Sequence, residues 1–457
     1  MEASLSGFQT EVRSGIGLTV AQEAVVNFTL QVGQVAQTVE ITGEAPLVET
    51  TNAAITGLVD QQTIRNLPLN GRSFDQLLQL QVGAVNARNN QGTTGLGGGT
   101  KISISGARPH ANSWLLDGTD ISDPRGGVPG GAGNLSLGVD TVREFRVLTN
   151  SYSAEYGRAS GGVITAVTRS GTNDLHGTAF EFLRNATLDA AKWEATARGT
   201  GVKPPFKRNQ FGFTLGGPIQ KNRTFFFGSY EGLRDRLGIT KGTNVPTALS
   251  HQGIIPNNGR IGAPLVNVGV APGVKPWLDL FPLPNGPIFD RGDGTGEFSY
   301  TASQPTNENY FTIKLDHSIS SKHSIFGRYT RDYSDRVIPR DLPFDSDPNT
   351  NQNQYLTVQL DSTLSPSTLN AFRFGMNKSH AREAEKTDLP SGLQSFVPGV
   401  PFGFGGQLSV AGLATIGSYD NPRGTDYSLF EWSDDVTLIR GAHSLKTGSI
   451  LDRKSVV

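Results

Sequence analysis

The chain contains no cysteine. Thiol nucleophiles, disulfide staples and cysteine metal sites are therefore excluded together. It also lacks any apolar run long enough for a membrane-crossing helix, which needs about 18 residues or more. If this chain crosses a membrane it must do so as a β-barrel, because only helices and closed sheets satisfy every backbone group in lipid. Net charge is −1, so no broad field draws the chain to nucleic acid, and no nucleic-acid partner is expected. The opening residues, Met1 to Gly7, lack the basic and apolar regions of a signal peptide. The motifs of the rest of the chain point to export, so the expectation is a segment whose start is missing.

What is abundant is glycine, with 56 residues, and proline, with 25, against only 36% hydrophobic residues. The apolar residues fall in short alternating runs. That pattern predicts many short strands joined by Gly/Pro-rich turns rather than disorder. Residues 1–43 alternate around Leu18 and Val20, again over Val25–Leu30, and again over Ala36–Ile41, predicting three strands. From Asp60 to Val85 the period changes. Ser73-Phe-Asp-Gln76 has the spacing of a capping box, followed by Phe74, Leu77, Leu78 and Gln81 at helical spacing, so a short amphipathic helix is predicted. Gly95–Gly99 is glycine-rich, but the next element is a strand, Lys101–Ser105. A phosphate cradle needs a helix there, so the run reads as a loop. Asp117-Gly118 lies between apolar segments and signals a hairpin. A turn explains both Asp117 and Asp120 without catalysis. Gly161-Gly162 opens a β-branched strand, where glycine permits close backbone approach or positive φ.

Beyond residue 176 the alternation becomes regular: Phe180/Phe182, Phe211/Phe213/Leu215, Phe311/Ile313/Leu315, Leu356/Val358/Leu360, Phe372/Phe374/Met376 and Val436/Leu438. Alternation alone suits a sandwich or a barrel. The connections separate them. Short turns near Gly216–Asn222, Ser318–Lys322, Leu364–Thr368 and Gly441-Ala442 alternate with longer links, one expected to run from about 232 to 308. Outer-membrane barrels have short inner turns and long outer loops. About nine strands are predicted, fewer than the roughly 22 of plugged transporters, so a wall truncated partway round is expected. Trp432, Tyr310, Tyr329, Tyr333, Tyr355 and Phe430 sit near strand ends, where an interfacial belt would lie.

Several segments together resemble the plug domain of TonB-dependent outer-membrane receptors: Ile102–Arg108, Trp114–Asp120, Val142–Val147, Tyr156–Ile164 and Thr168–Gly171. Gly177–Arg184 resembles the first barrel strand. The resemblance implies a mainly β protein. Residues 1–43 look like the end of a carboxypeptidase-regulatory-like domain, as in Oar-like receptors. Residues 44–170 would form an α+β plug, and 171–457 part of an antiparallel up-and-down barrel. It implies an outer-membrane transporter, not an enzyme, that takes up a scarce ligand and needs no cofactor. Siderophore, cobalamin and oligosaccharide all stay open. Thr38, Val39, Glu40, Ile41, Thr42 and Gly43 resemble a TonB box, a strand offered to TonB by sheet-edge addition. Plug-loop residues Asp123, Arg125 and Asn134 are candidate ligand contacts, and outer-membrane lipid is the expected surround. The rival reading is a non-transporting surface adhesin or glycan-binding protein. The seven histidines show no metal-ligand spacing, and Asp290–Glu297 lacks EF-hand spacing, so no metal site is expected.

Overall fold

The computed structural model describes residues 2–14, 26, 28–32, 38–42, 55–59, 63–64, 72–87, 101–123, 129–132, 136–157, 159–191, 193, 203–388, 393, 407–417, 423–441 and 443–456. At the N-terminus, β1 (Glu2–Ala3), β2 (Thr10–Ser14) and β3 (Thr38–Thr42) form a small sheet. β3 lies parallel to β2, with Thr10 opposite Thr38. The third expected strand is thus present. Of the two strands expected over 18–30, the first lies outside the described residues, as does most of the start of the second, and residues 28–31 are irregular.

An inner unit comes next, with β4 (Ile55–Val59), β5 (Ala84–Asn86), β6 (Ile102–Ile104), β7 (Ser113–Leu116), β8 (Thr119–Asp120), β9 (Val142–Asn150) and β10 (Val163–Thr168). Five of these form a sheet in the order β4-β9-β10-β7-β8, in which β10 and β7 run parallel. Its core gathers Leu77, Leu78, Ile102, Ile104, Trp114, Phe145, Val147 and Ile164. β9 is buried on both faces along most of its length, and its Val142, Phe145 and Val147 join this core together with Tyr355 of the long-stranded wall. The expected helix is a 3-10 helix, Phe74–Leu80, and the capping box is not made. The Ser73 hydroxyl instead accepts a hydrogen bond from Ser136 N at 2.7 Å. A tertiary partner has captured the capping oxygen. The Asp117-Gly118 turn forms as expected, with φ of 48° and 79°. The close approach anticipated at Gly161 and Gly162 is real. A Cβ on Gly162 would stand 2.7 Å from the Ile104 side chain.

The wall is one antiparallel sheet of long strands. In chain order the elements are β11 (His176–Asn185), β12 (Phe206–Gln220), β13 (Thr224–Pro246), the loop strands β14 (Ile254–Pro256) and β15 (Leu265–Asn267), β16 (Thr295–Ser318), β17 (His323–Pro339), β18 (Asp345–Ser365), β19 (Thr368–Glu383), the short β20 (Lys386–Thr387), β21 (Gln407–Leu408) and β22 (Ile416–Gly417), then β23 (Arg423–Arg440) and β24 (His443–Val456). Nine of them pair in sequence order, β11-β12-β13-β16-β17-β18-β19-β23-β24. Among the described residues β11 pairs only with β12 and β24 only with β23, so the wall is open.

The nine strands match the expectation, but most are longer. β13 and β16 have 23 and 24 residues, where about 9–11 cross a bilayer. The long link accordingly shrinks to 247–294, and the link between β17 and β18 is only 340–344. The expected strict alternation of long and short links therefore fails at that one hairpin. The reason is physical: beyond the apolar stretch both faces of a strand are polar, and the period-two signal disappears while pairing continues. At the loop end, Val245, Phe281, Phe298, Leu342, Ala414 and Ile416 form a separate small core.

Candidate functional site at the face between inner unit and wall

The concave face of the wall holds the inner unit, and its contacts are mostly polar. Alternation places Thr312, Arg328, Thr330, Thr357 and Asn377 inward, each essentially without solvent exposure. Asp117, at the tip of the β7–β8 turn, meets them. Its Oδ2 accepts from Arg328 Nε at 2.7 Å and from the Thr168 hydroxyl at 2.7 Å, and its Oδ1 accepts from Thr168 N at 2.9 Å. Lys314 Nζ lies 3.9 Å from the same carboxylate. Arg328 directs its other donors to Leu116 O, Thr330 and Thr357. A buried charge pair is tolerable only when its remaining hydrogen bonds are made, as these are. Burial alone would push the Asp117 carboxyl up. Lys314, Arg328 and the Thr168 hydrogen bonds outweigh it and hold the group below its ordinary value.

A second hub is Arg72. Its guanidinium donates to Asp140 Oδ2 at 2.7 Å, lies 3.6 Å from Glu231 Oε1, and stacks 4.1 Å from the Phe180 ring and 5.1 Å from Phe182. Glu231 also accepts from Gly138 N and Gln210. Phe180 and Phe182 therefore face inward. Thr178, on the same side of β11, bonds Thr214 of β12, whose side chain is buried. Apolar alternation in a lipid surround would turn these two phenylalanines outward; the structure turns them inward instead. Cation–π stacking with Arg72 gives them an inner partner. Tyr310 and Tyr355 are likewise buried inward. They leave the expected outer belt, while Tyr329, Tyr333, Phe430 and Trp432 stay on the outward face.

Wall side chains also grip the backbone of the segment flanking Arg125 and Asn134. Asn351 and Asn353 donate to Gly130 O at 2.6 and 3.2 Å, and Ala132 N donates to the Ser334 hydroxyl at 2.6 Å. Gly138 takes φ 92°, and a Cβ there would stand 2.5 Å from the Tyr310 ring. A small cavity lies between the two units, walled by Trp114, Leu137, Phe145, Tyr310, Asp332 and Tyr355.

The candidate residues distribute unevenly. Thr38–Thr42 form β3, and Gly43 lies outside the described residues. Asp123 is buried, so it does not face solvent in this conformation. Arg125 and Asn134 lie outside the described residues. The residues that join the two units, Arg72, Asp117, Lys314 and Arg328, were not anticipated. Asp117 was visible only as a turn residue, and its partner stands 211 positions away.

A wall of up-and-down strands with a polar concave face, filled by a small mixed sheet, defines a plugged outer-membrane β-barrel. The comparisons agree. A model of the TonB-dependent receptor plug domain matches residues 47–163, and one of an outer-membrane β-barrel domain matches residues 167–456. The chain belongs to the TonB-dependent receptors of the outer membrane. It is 32% identical over 235 residues to the TonB-dependent transporter Oar of Myxococcus xanthus, covering 49% of this chain and 21% of that protein. It is 23% identical over 193 residues to the probable TonB-dependent siderophore receptor PirA of Acinetobacter baumannii, covering 40% and 25%. Among solved structures, the outer-membrane transporter YddB of Escherichia coli superposes with TM-score 0.54 at 14% identity, over 87% of this chain and 47% of that one. The ferric enterobactin receptor of Pseudomonas aeruginosa, a mutant form, gives 0.52 at 13%, over 88% and 49%. The chain thus spans about half the length of these structures and a fifth to a quarter of the two curated relatives.

Proposed function

We propose that this chain is the plug and part of the wall of an energy-coupled importer, which binds a scarce ligand outside and releases it inward when the plug rearranges. The observation that carries the reading is the chemistry of the plug–wall face. It is built from ion pairs, hydroxyls and amides, not from a continuous apolar core. Such a face is specific in geometry yet can be rehydrated as it opens, unlike interdigitated aliphatic packing.

Thr38–Gly43 would serve as the TonB box, with the described part of it already extended as β3 at a sheet edge. Residues 1–43 would be the end of a carboxypeptidase-regulatory-like module, 44–170 the plug and 171–457 the wall. Arg125 and Asn134, which flank the Gly130 and Ala132 backbone held by Asn351, Asn353 and Ser334, are the plug candidates for ligand contact; Asp123 is buried and would need to become exposed. PirA is named as a probable siderophore receptor, which makes an iron chelate the first ligand to try. The test is deletion of Thr38–Gly43 in the full-length receptor. Energy-dependent uptake should be lost while surface binding persists. Unchanged uptake would remove the box assignment, and loss of binding as well would point to misassembly.

A further inference from the structure

The outward face of β17, β18, β19 and β23 is organised in rows set by strand register. One row is Gly327, Val358, Phe374 and Trp432; the next toward the loop end is Tyr329, Leu356, Met376 and Phe430. Directly above it the chemistry changes in one step, to Arg331, Gln354, Lys378 and Ser428. Arg331 and Lys378 are exposed. They stand two strands apart, roughly 10 Å at about 4.8 Å per strand. Lys378 lies over the Phe430 ring, 5.5 Å from its centroid. Tyr329 donates to Gln354 Oε1 at 3.0 Å, which leaves the Gln354 amide NH2 as a donor between the two cations.

Among the described residues neither Arg331 nor Lys378 has a carboxylate partner. The inner face is different: Arg208, Lys314 and Arg328 each stand against an aspartate. One row higher, His380 pairs with Asp426, which also takes Arg382 at 2.6 Å.

We propose that the row Arg331–Gln354–Lys378 binds the phosphorylated headgroup of an outer-leaflet lipid, whose acyl chains lie on the apolar rows beneath. The row sits on the loop side of the apolar band, where headgroups begin in an outer-membrane barrel. A guanidinium fork, an ammonium and an amide donor form a donor-only set, which suits phosphate oxygens. A protein partner is disfavoured because the surface directly beneath is the hydrocarbon-facing band.

The test uses the full-length receptor in nanodiscs of phosphatidylcholine, with or without phosphatidic acid, and counts retained lipids by native mass spectrometry. The wild type should retain phosphatidic acid in preference to phosphatidylcholine. Arg331→Gln with Lys378→Gln should reduce that preference by roughly tenfold, the scale of losing charge-assisted bonds to phosphate. Arg260→Gln with Arg291→Gln, a charge-matched pair on the outer loop, should leave it intact. Gel mobility with and without heating checks assembly of each variant. Retention unchanged in the first variant, or lost equally in the control, would overturn the proposal. So would displacement of the lipid by inorganic phosphate, which would assign the row to a free anion.

Discussion

Arg328 Nε of the wall lies 2.7 Å from Asp117 Oδ2 of the plug, with both side chains almost completely buried. This contact ties a hairpin turn to a strand 211 residues later. Removing one partner of such a pair leaves the other charge stranded.

Asp117→Asn should therefore weaken plug seating strongly, by about 3–5 kcal/mol, the range for breaking a buried pair. Arg328→Met should cost less, because Thr168 and Lys314 continue to serve the Asp117 carboxylate. Hydrogen exchange over residues 113–120 in the two variants checks the order. Equal protection in both and in the wild type would mean the pair does not hold the plug.

The same contact sets a pH dependence. Asp117 titrates below its ordinary value of 3.8, so its contribution is complete above about pH 4 and is lost as pH falls through the depressed folded value. Seating should hold from neutral pH down to that range and then loosen. Asp117→Asn should flatten the acid limb. Protease sensitivity of the plug, measured against pH, reads both.

Arg72→Lys keeps the charge beside Asp140 but removes the planar group stacked on Phe180 and Phe182. The expected loss is about 1–2 kcal/mol of plug stability, measured as a shift in the urea midpoint of the plug transition. An unchanged midpoint would mean that β11 is not held by this stack.

Val358 alternates with Thr357, which has no solvent exposure and shares a 2.7 Å hydroxyl contact with Thr119 of the plug. Val358→Arg should then place a charge in hydrocarbon and cost roughly 2–4 kcal/mol near the midplane. The readout is the fraction of barrel that assembles in lipid vesicles.

The nine wall strands were legible because lipid on one side and a polar plug on the other impose opposite chemistry on alternate residues, as at Phe311, Ile313 and Leu315 against Thr312 and Lys314. Strand ends were not. From Leu233 to Pro246, β13 continues beyond the apolar band, where neither face is uniform. The orientation of Phe180 and Phe182 was not legible, because an aromatic residue stacked on an arginine carries the same letter as one facing lipid. Tyr310 and Tyr355 lie inside rather than in the belt, because strand parity, not residue type, decides their side. The capping oxygen of Ser73 was claimed by Ser136, 63 positions away, a distance at which spacing rules carry no information. The plug–wall ion pairs were hidden likewise, since each half alone looks like a turn residue or a lumen-facing charge.

Plug seating, and the proposed transport and lipid binding, all depend on which side of each strand meets the bilayer, and the absence of native cysteine makes that side directly measurable. Single cysteines at Leu356, Val358 and Phe374, and at Thr357 and Asn377, would carry spin labels in the full-length receptor reconstituted in lipid. Labels at the first three should relax with oxygen dissolved in the bilayer and ignore a water-soluble nickel chelate. Labels at Thr357 and Asn377 should be immobilised against the plug and ignore the bilayer oxygen. The reverse pattern, or nickel access at Leu356, Val358 and Phe374, would contradict this orientation of the wall.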